Sequence, residues 1–180
     1  MEAIECIKTR RSIRQFKNKD VCDSDIKEIV DISAFAPSWK NSQTVRYILV
    51  KDKDLKARLA NECTMGFDHN KGIINGASAV MVLTTVDKRS GYERDGSFST
   101  SKGTHWQSFD AGVAAQTFCL TAHEKGLATV IMGIFDAEKV HDALSLPDTQ
   151  SVSALIAIGF ADESGRDPVR KTSEELLTIR

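Results

Sequence analysis

The run ASAVMVLTTV, residues 77–86, constrains the fold of this 180-residue chain more than any other stretch. It is apolar almost without interruption and is bounded by polar segments, so no alternation sets aside a wet face. A strand of that composition is covered on both faces, which makes it a candidate central strand and obliges the rest of the chain to supply the cover. Three other short apolar runs have strand character: VRYILV (45–50), LATVIM (127–132) and SALIAIGFA (153–161).

Helical patterns fall between them. Residues 2–9 place Ile4 and Ile7 on one face. In CDSDIKEIVDISAFAPS (22–38), Ile26, Ile29 and Val30 hold a 3.6 period, Asp23 or Ser24 is placed to cap the first turn, and Pro37 is the expected stop. DLKARLANEC (54–63) and DAEKVHDAL (136–144) read as helices, the latter with Asp136 at its cap, and TSEELLTIR near the end is short and amphipathic. The residues between 63 and 77 read as a glycine-punctuated loop. Residues 87–103, polar and rich in Gly and Ser, read as a long mobile loop or lid. HWQSFDAGVAAQTFCLTAHEKG (105–126) is the longest helical pattern. Phe109, Val113, Ala114, Phe118, Leu120 and Ala122 spread beyond one stripe, so this helix is expected to be buried on more than one side. The small residues Ala111, Gly112, Ala114 and Ala115 allow another backbone to approach, and this wide apolar girth motivates a homodimer. Helices and strands intermix, which gives one layered α+β domain over residues 1–180.

Charge narrows the function. Lys+Arg number 24 against Asp+Glu 25, a formal net charge of −1, so the cluster TRRSIRQF (9–16) is a local device and not part of a basic field made for nucleic acid. A nucleic-acid module would use Lys8, Arg10, Arg11, Arg14, Lys17 and Lys19 as an arm, but the neutral balance and the missing aromatic platform speak against it. No apolar run approaches the roughly 20 residues of a bilayer span, and MEAIECIKTRR has no apolar signal core, so a cytoplasmic protein without membrane attachment is expected. Cys6, Cys22, Cys63 and Cys119 are scattered without a CxxC pair, and His69, His105, His123 and His141 lack metal spacing, so no metal site is expected. The fingerprints GxGxxG, GxxxxGK[ST], HExxH and GxSxG are absent. Asp110 reads as a buried hydrogen-bond partner in preference to a base.

Two readings of the arginines stand. Phosphate matches the planar guanidinium fork, with Ser12 adding a donor, while an exposed basic helix end that complements the helix dipole is the plainer alternative. APSWKNSQT (36–44) likewise reads either as a simple turn or as a rigid polar turn. In the second case Pro37, Ser38, Asn41 and Gln43 present polar groups to a flat heteroaromatic ligand.

The order RRSIRQF, AFAPSWKNSQTVRYILV, FDAGVAAQTFCLTAHEKGLATVIMGIF and a basic RK near the end resembles the nitroreductase family of FMN-dependent oxidoreductases, over residues 2 to 177. The resemblance implies a three-layer α+β fold with a central mixed sheet flanked by helices, in an intertwined homodimer with FMN at each of two subunit interfaces. It also implies oxidation of NADH or NADPH alternating with reduction of a nitroaromatic, quinone or similar acceptor in a ping-pong cycle, or else a flavin-binding protein without turnover. By motif position, Arg10, Arg11 and Ser12 would meet the FMN phosphate and ribityl chain, and Arg14 the pyrimidine end of the ring. Pro37, Ser38 and Asn41 would reach FMN from the other subunit. Asn70 with Lys71 would contact the ring, Met132 and Gly133 would approach it by backbone, and Arg170 and Lys171 would return to the phosphate. No catalytic side chain is implied, because the cofactor carries the hydride chemistry. Thr44 departs from the proline that often follows Gln43 in the family, and residues 87–103 match no particular substrate class.

Overall fold

The computed structural model describes residues 2–180. The apolar run becomes β2 (Ala79–Val86), buried at every position but its last. It lies inside a four-stranded sheet of order β1-β2-β4-β3, with β1 at Val45–Val50, β3 at Ala128–Met132 and β4 at Gln150–Gly159. Period-two alternation then separates two cores. Ala79, Met81 and Leu83, with Ile156 and Ile158 of β4, pack against α2 (Asp23–Ser33) and α5 (His105–Glu124) through Ile26, Ile29, Phe118 and Ala122. Val80 and Val82, with Leu155 and Ala157, pack on the other face against α3 (Lys53–Glu62), α4 (Asp68–Gly76) and α6 (Ala137–Ala143) through Leu59, Ile74 and Val140. The result is three layers, with α1 (Ala3–Thr9) against α5 and α7 (Ser173–Leu176) near the end of the chain.

The implied mixed sheet needs correction. Among the described residues all three ladders are antiparallel, and parallel pairing is confined to a single bridge between Ser12 and Thr129 at the outer edge of β3. Between β1 and β2 the chain makes two helical passes, α3 and α4, so it re-enters the sheet at the end it left and runs the opposite way.

Local rules explain most element ends. Asp52 and Asp136 cap α3 and α6, their carboxylates accepting from Leu55 N–H at 2.8 Å and Lys139 N–H at 3.1 Å. Neither Asp23 nor Ser24 caps α2; its N-cap is Cys22, whose Sγ lies 2.9 Å from Ser24 Oγ. Nor does Pro37 end that helix, which stops at Ser33 as the bonds from Phe35 N–H to Ile32 and from Ala36 N–H to Ser33 tighten the backbone. The loop expected before residue 77 contains α4. Its Asn70, Ile73 and Ile74 are buried, while Gly72 and Gly76 face open space, so packing outweighs two unfavourable glycines. Residues 87–103 form a hairpin-like excursion: Glu93 N–H reaches Ser97 O and Ser99 N–H reaches Gly91 O, both at 2.9 Å, and Tyr92 pairs with Phe98. Gly91 has φ +85°, and a Cβ there would lie 2.7 Å from Gly103 O, so the neck of the excursion closes only on glycine.

Candidate functional site

The arginine cluster leaves α1 at Arg10 and runs along the edge of β3. Ile13 N–H bonds Thr129 O at 3.0 Å, and the buried Ile13 side chain fixes which neighbours face outward. A strap at 162–170 lies against this segment. Glu163 accepts from the N–H groups of Arg14 and Gln15, Asp162 N–H bonds Gln15 O at 2.9 Å, and Asp167 pairs with Arg11 Nη2 at 2.6 Å. Gly165, at φ +74°, lets the strap press close, since a Cβ there would lie 2.7 Å from Arg11 Cβ. Together the two segments enclose a cavity of about 230 Å³ lined by Arg10, Arg11, Arg14, Arg166 and Arg170 with Ser12 and Pro168.

These arginines are not equivalent. Arg11 also donates to the carbonyls of Lys8 and Arg10, at 2.6 and 2.9 Å. Arg14 is exposed, and among the described residues its guanidinium donates only to Ser12 O, at 3.2 Å. Arg10 Nε is buried with no partner, and a buried donor without an acceptor costs about 1–3 kcal/mol. No carboxylate is among the residues lining the cavity, so an anion entering it would offset the like charges.

The 36–44 turn is built differently. Lys40, Asn41 and Gln43 all have positive φ, 45°, 53° and 46°, a strained run for residues with a Cβ. Asp110 of α5, 2% exposed, holds the turn by accepting from Trp39 N–H through both carboxylate oxygens, at 3.1 and 3.0 Å, and it also accepts from the Ser90 hydroxyl. This is the hydrogen-bonding role read for Asp110. The Trp39 ring packs on Trp106, with centroids 4.7 Å apart, and Lys40 pairs with Glu93 at 3.0 Å, so turn and excursion are tied together. Trp39 Nε1, Ser42 Oγ and Thr44 Oγ1 are buried and unpartnered. Pro37 and Ser38 line a largely apolar cavity of about 340 Å³ with Thr44, Tyr47 and Ala114, where burial pushes the Tyr47 phenol up to about 12.

A third group forms where α4 meets the end of β3. Asn70, 6% exposed, donates from Nδ2 to Ile134 O at 3.0 Å, directly beyond the buried Met132 and the exposed Gly133, and half-buried Lys71 follows it. The fold thus brings Arg10, Arg11, Ser12, Arg14 and Arg170 to one cavity and sets Asn70 beside Met132 and Gly133. Pro37 and Ser38 line a different cavity, Asn41 lines neither, and Lys171 is exposed outside the arginine cavity. Sequence reasoning missed Glu163, Gly165, Arg166 and Asp167. Its available signal was SGRDP (164–168), a glycine with opposite charges beside it, which is too short to assign alone. No helix among the described residues is long and apolar enough to cross a membrane.

Comparison with known proteins adds the following. The profile of the Nitroreductase family matches residues 7–160. An Archaeoglobus fulgidus protein provisionally named NADH dehydrogenase/NAD(P)H nitroreductase is 26% identical over 163 residues, covering 88% of this chain and 85% of that protein. A nitroreductase family protein from Streptococcus pneumoniae shares the fold at a TM-score of 0.87 and 22% identity, covering 99% of this chain and 100% of its own. A Desulfovibrio desulfuricans protein solved in complex with FMN superposes at a TM-score of 0.80 and 26% identity, over 100% of this chain and 98% of its own.

Proposed function

The chain belongs to the nitroreductase family, and from that premise we propose that it is an FMN-dependent oxidoreductase passing hydride from NADH or NADPH to a nitroaromatic, quinone or similar acceptor. The observation that carries the proposal is the cavity that Arg10, Arg11, Arg14, Arg166 and Arg170 line together with Ser12, with no carboxylate among its lining residues. A phosphate fits it in charge and in donor chemistry. Bound FMN would supply hydride acceptance and delivery.

The chain's own part is to bind and orient. Arg10 and Arg170 hold the phosphate with Ser12, and the exposed Arg14 lends positive charge toward the ring's pyrimidine end. Asn70, fixed by Ile134 O, and the backbone at Met132 and Gly133 orient the ring, with Lys71 alongside. Pro37, Ser38 and Asn41 belong to the site of a second copy. Residues 1–180 act as one domain in a cytoplasmic homodimer. Support for the dimer comes from the separation of the two motifs within one chain and from Phe35, Phe109 and Ile131, which stand 89%, 56% and 45% exposed.

The test is the visible spectrum of the purified protein with its chromophore identified, followed by anaerobic addition of NADH or NADPH and steady-state turnover with a quinone. Bleaching by a nicotinamide and parallel double-reciprocal lines are expected. A protein that neither carries nor takes up FMN would overturn the proposal, and a loaded one that no nicotinamide reduces would point to storage or sensing.

A further inference from the structure

We infer that the arginines around the cavity divide into two roles: Arg166 contacts the cofactor phosphate beside Arg10 and Arg170, whereas Arg11 holds, through Asp167, the strap that delivers Arg166 and Arg170. This rests on the FMN reading above.

Arg11 is already engaged. Its Nη2 lies 2.6 Å from Asp167, and its Nη1 donates to two backbone carbonyls. A phosphate drawing on those donors would have to displace a carboxylate that the strap supplies.

The strap has little else to hold it. Asp162 N–H to Gln15 O is its one backbone bond to the arginine segment, and Glu163 adds a carboxylate grip on two N–H groups. Beyond Gly165 the only polar tie to the arginine segment among the described residues is Asp167 to Arg11, and residues 166–171 are all exposed. Arg166 sits between the Gly165 contact and the Asp167 ion pair, so its backbone is fixed on both sides while its guanidinium lines the cavity without a partner among the described residues. A side chain so placed is pre-organised for an anion. Arg170 stands three residues beyond the Asp167 anchor, so releasing that anchor frees both arginines together.

FMN and riboflavin, which differ only in the phosphate, separate the roles when titrated into cofactor-stripped protein. Wild type is expected to prefer FMN. Arg166→Ala should weaken FMN binding about ten-fold, as loss of one charge-assisted contact does, and leave riboflavin unchanged. Arg11→Ala and Asp167→Ala should each weaken FMN by a similar factor, and the double variant should be no worse than either single, because both remove one brace. An Arg166→Ala protein with wild-type FMN affinity, or with equal losses for FMN and riboflavin, would overturn its phosphate role. Asp167→Ala binding FMN as well as wild type while Arg11→Ala binds poorly would make Arg11 a direct ligand and overturn the brace. If wild type binds neither compound, or both equally, the FMN reading itself fails and takes this inference with it.

Discussion

The arginine cavity and the 36–44 turn both leave buried polar atoms without partners, yet they are made by opposite means. The cavity is charged, assembled from two segments that meet through the Arg11–Asp167 ion pair, carboxylate bonds to backbone N–H groups and a glycine contact, and its lining suits an anion. The turn has a single charged side chain, Lys40, paired with Glu93, and one buried carboxylate holds it beside its left-handed residues. None of the described residues supplies partners for Trp39 Nε1, Ser42 Oγ and Thr44 Oγ1. A small ion can complete the first half, whereas the second needs a surface. If the halves meet, they do so across two chains, and each can be damaged without touching the other.

The largest effect should come from removing the second chain. Ala114 and Ala115 are each 4% exposed within a single chain, so a charge there would disturb the chain's own core and report nothing about assembly. Gly112 of α5 is the better site: it is exposed, a Cβ there meets nothing within 4 Å, and it shares a cavity of about 400 Å³ with the exposed Ile131. Gly112→Glu should keep helix and fold, even gaining a few tenths of a kcal/mol in propensity, while abolishing the proposed homodimer. Light scattering and flavin absorbance should fall together. A folded monomer that keeps its FMN would break the idea of a shared site.

Next in size is Asp110→Ala, which strands the Trp39 N–H and the Ser90 hydroxyl. A loss of about 2–4 kcal/mol is expected, with Asp110→Asn milder because its amide oxygen still accepts. Calorimetry measures the loss, and the preference for FMN over riboflavin should survive because the phosphate half is untouched. If that preference disappears, the two halves are one unit and the comparison fails.

Arg10→Ala strikes the other half. Losing a charge-assisted phosphate contact of about 1.5–3 kcal/mol should weaken FMN roughly ten- to a hundred-fold, read from flavin fluorescence. The melting temperature of the cofactor-free protein should hold or rise, because the orphaned Nε goes with the side chain.

The sequence was most readable where period and burial coincide. β1 ends where VRYILV does, β2 follows from a nearly unbroken apolar run that only a core can absorb, and α5 from apolar residues spread beyond one stripe. It was least readable where packing overrides composition: α4 carries two glycines and still forms, because Asn70, Ile73 and Ile74 are buried, and residues 87–103 close on themselves through a contact that only Gly91 permits. The site divides the same way. Arg10, Arg11, Ser12 and Arg14 are contiguous, so their grouping is visible in the chain itself. Arg166 and Asp167 join them through a contact spanning more than 150 residues, which neither spacing nor charge count can reveal.

The smallest effect is a pH dependence that the cavity should tune. His123 of α5 lies with Nε2 2.9 Å from Thr9 Oγ1, and burial, reinforced by the nearby Arg10 charge, holds its imidazole below the ordinary value of 6.5 despite Glu124. Arg11 adds to the same repulsion. Between that lowered value and 6.5 the unfolded chain takes up a proton that the folded chain resists, so stability should fall as pH drops through this window and be level above it. Melting curves at about pH 5.5 and about pH 7.5 should show the difference in the cofactor-free protein and not in His123→Gln. Inorganic phosphate or FMN in the cavity would offset the Arg10 charge, let His123 hold its proton more readily and flatten the slope. Buffer salt would shrink it too, since the ring is partly solvated, so the titrations belong at constant ionic strength. A slope unchanged in His123→Gln would assign the proton elsewhere, and one that FMN leaves untouched would mean that the bound anion does not reach the Arg10 side of the cavity.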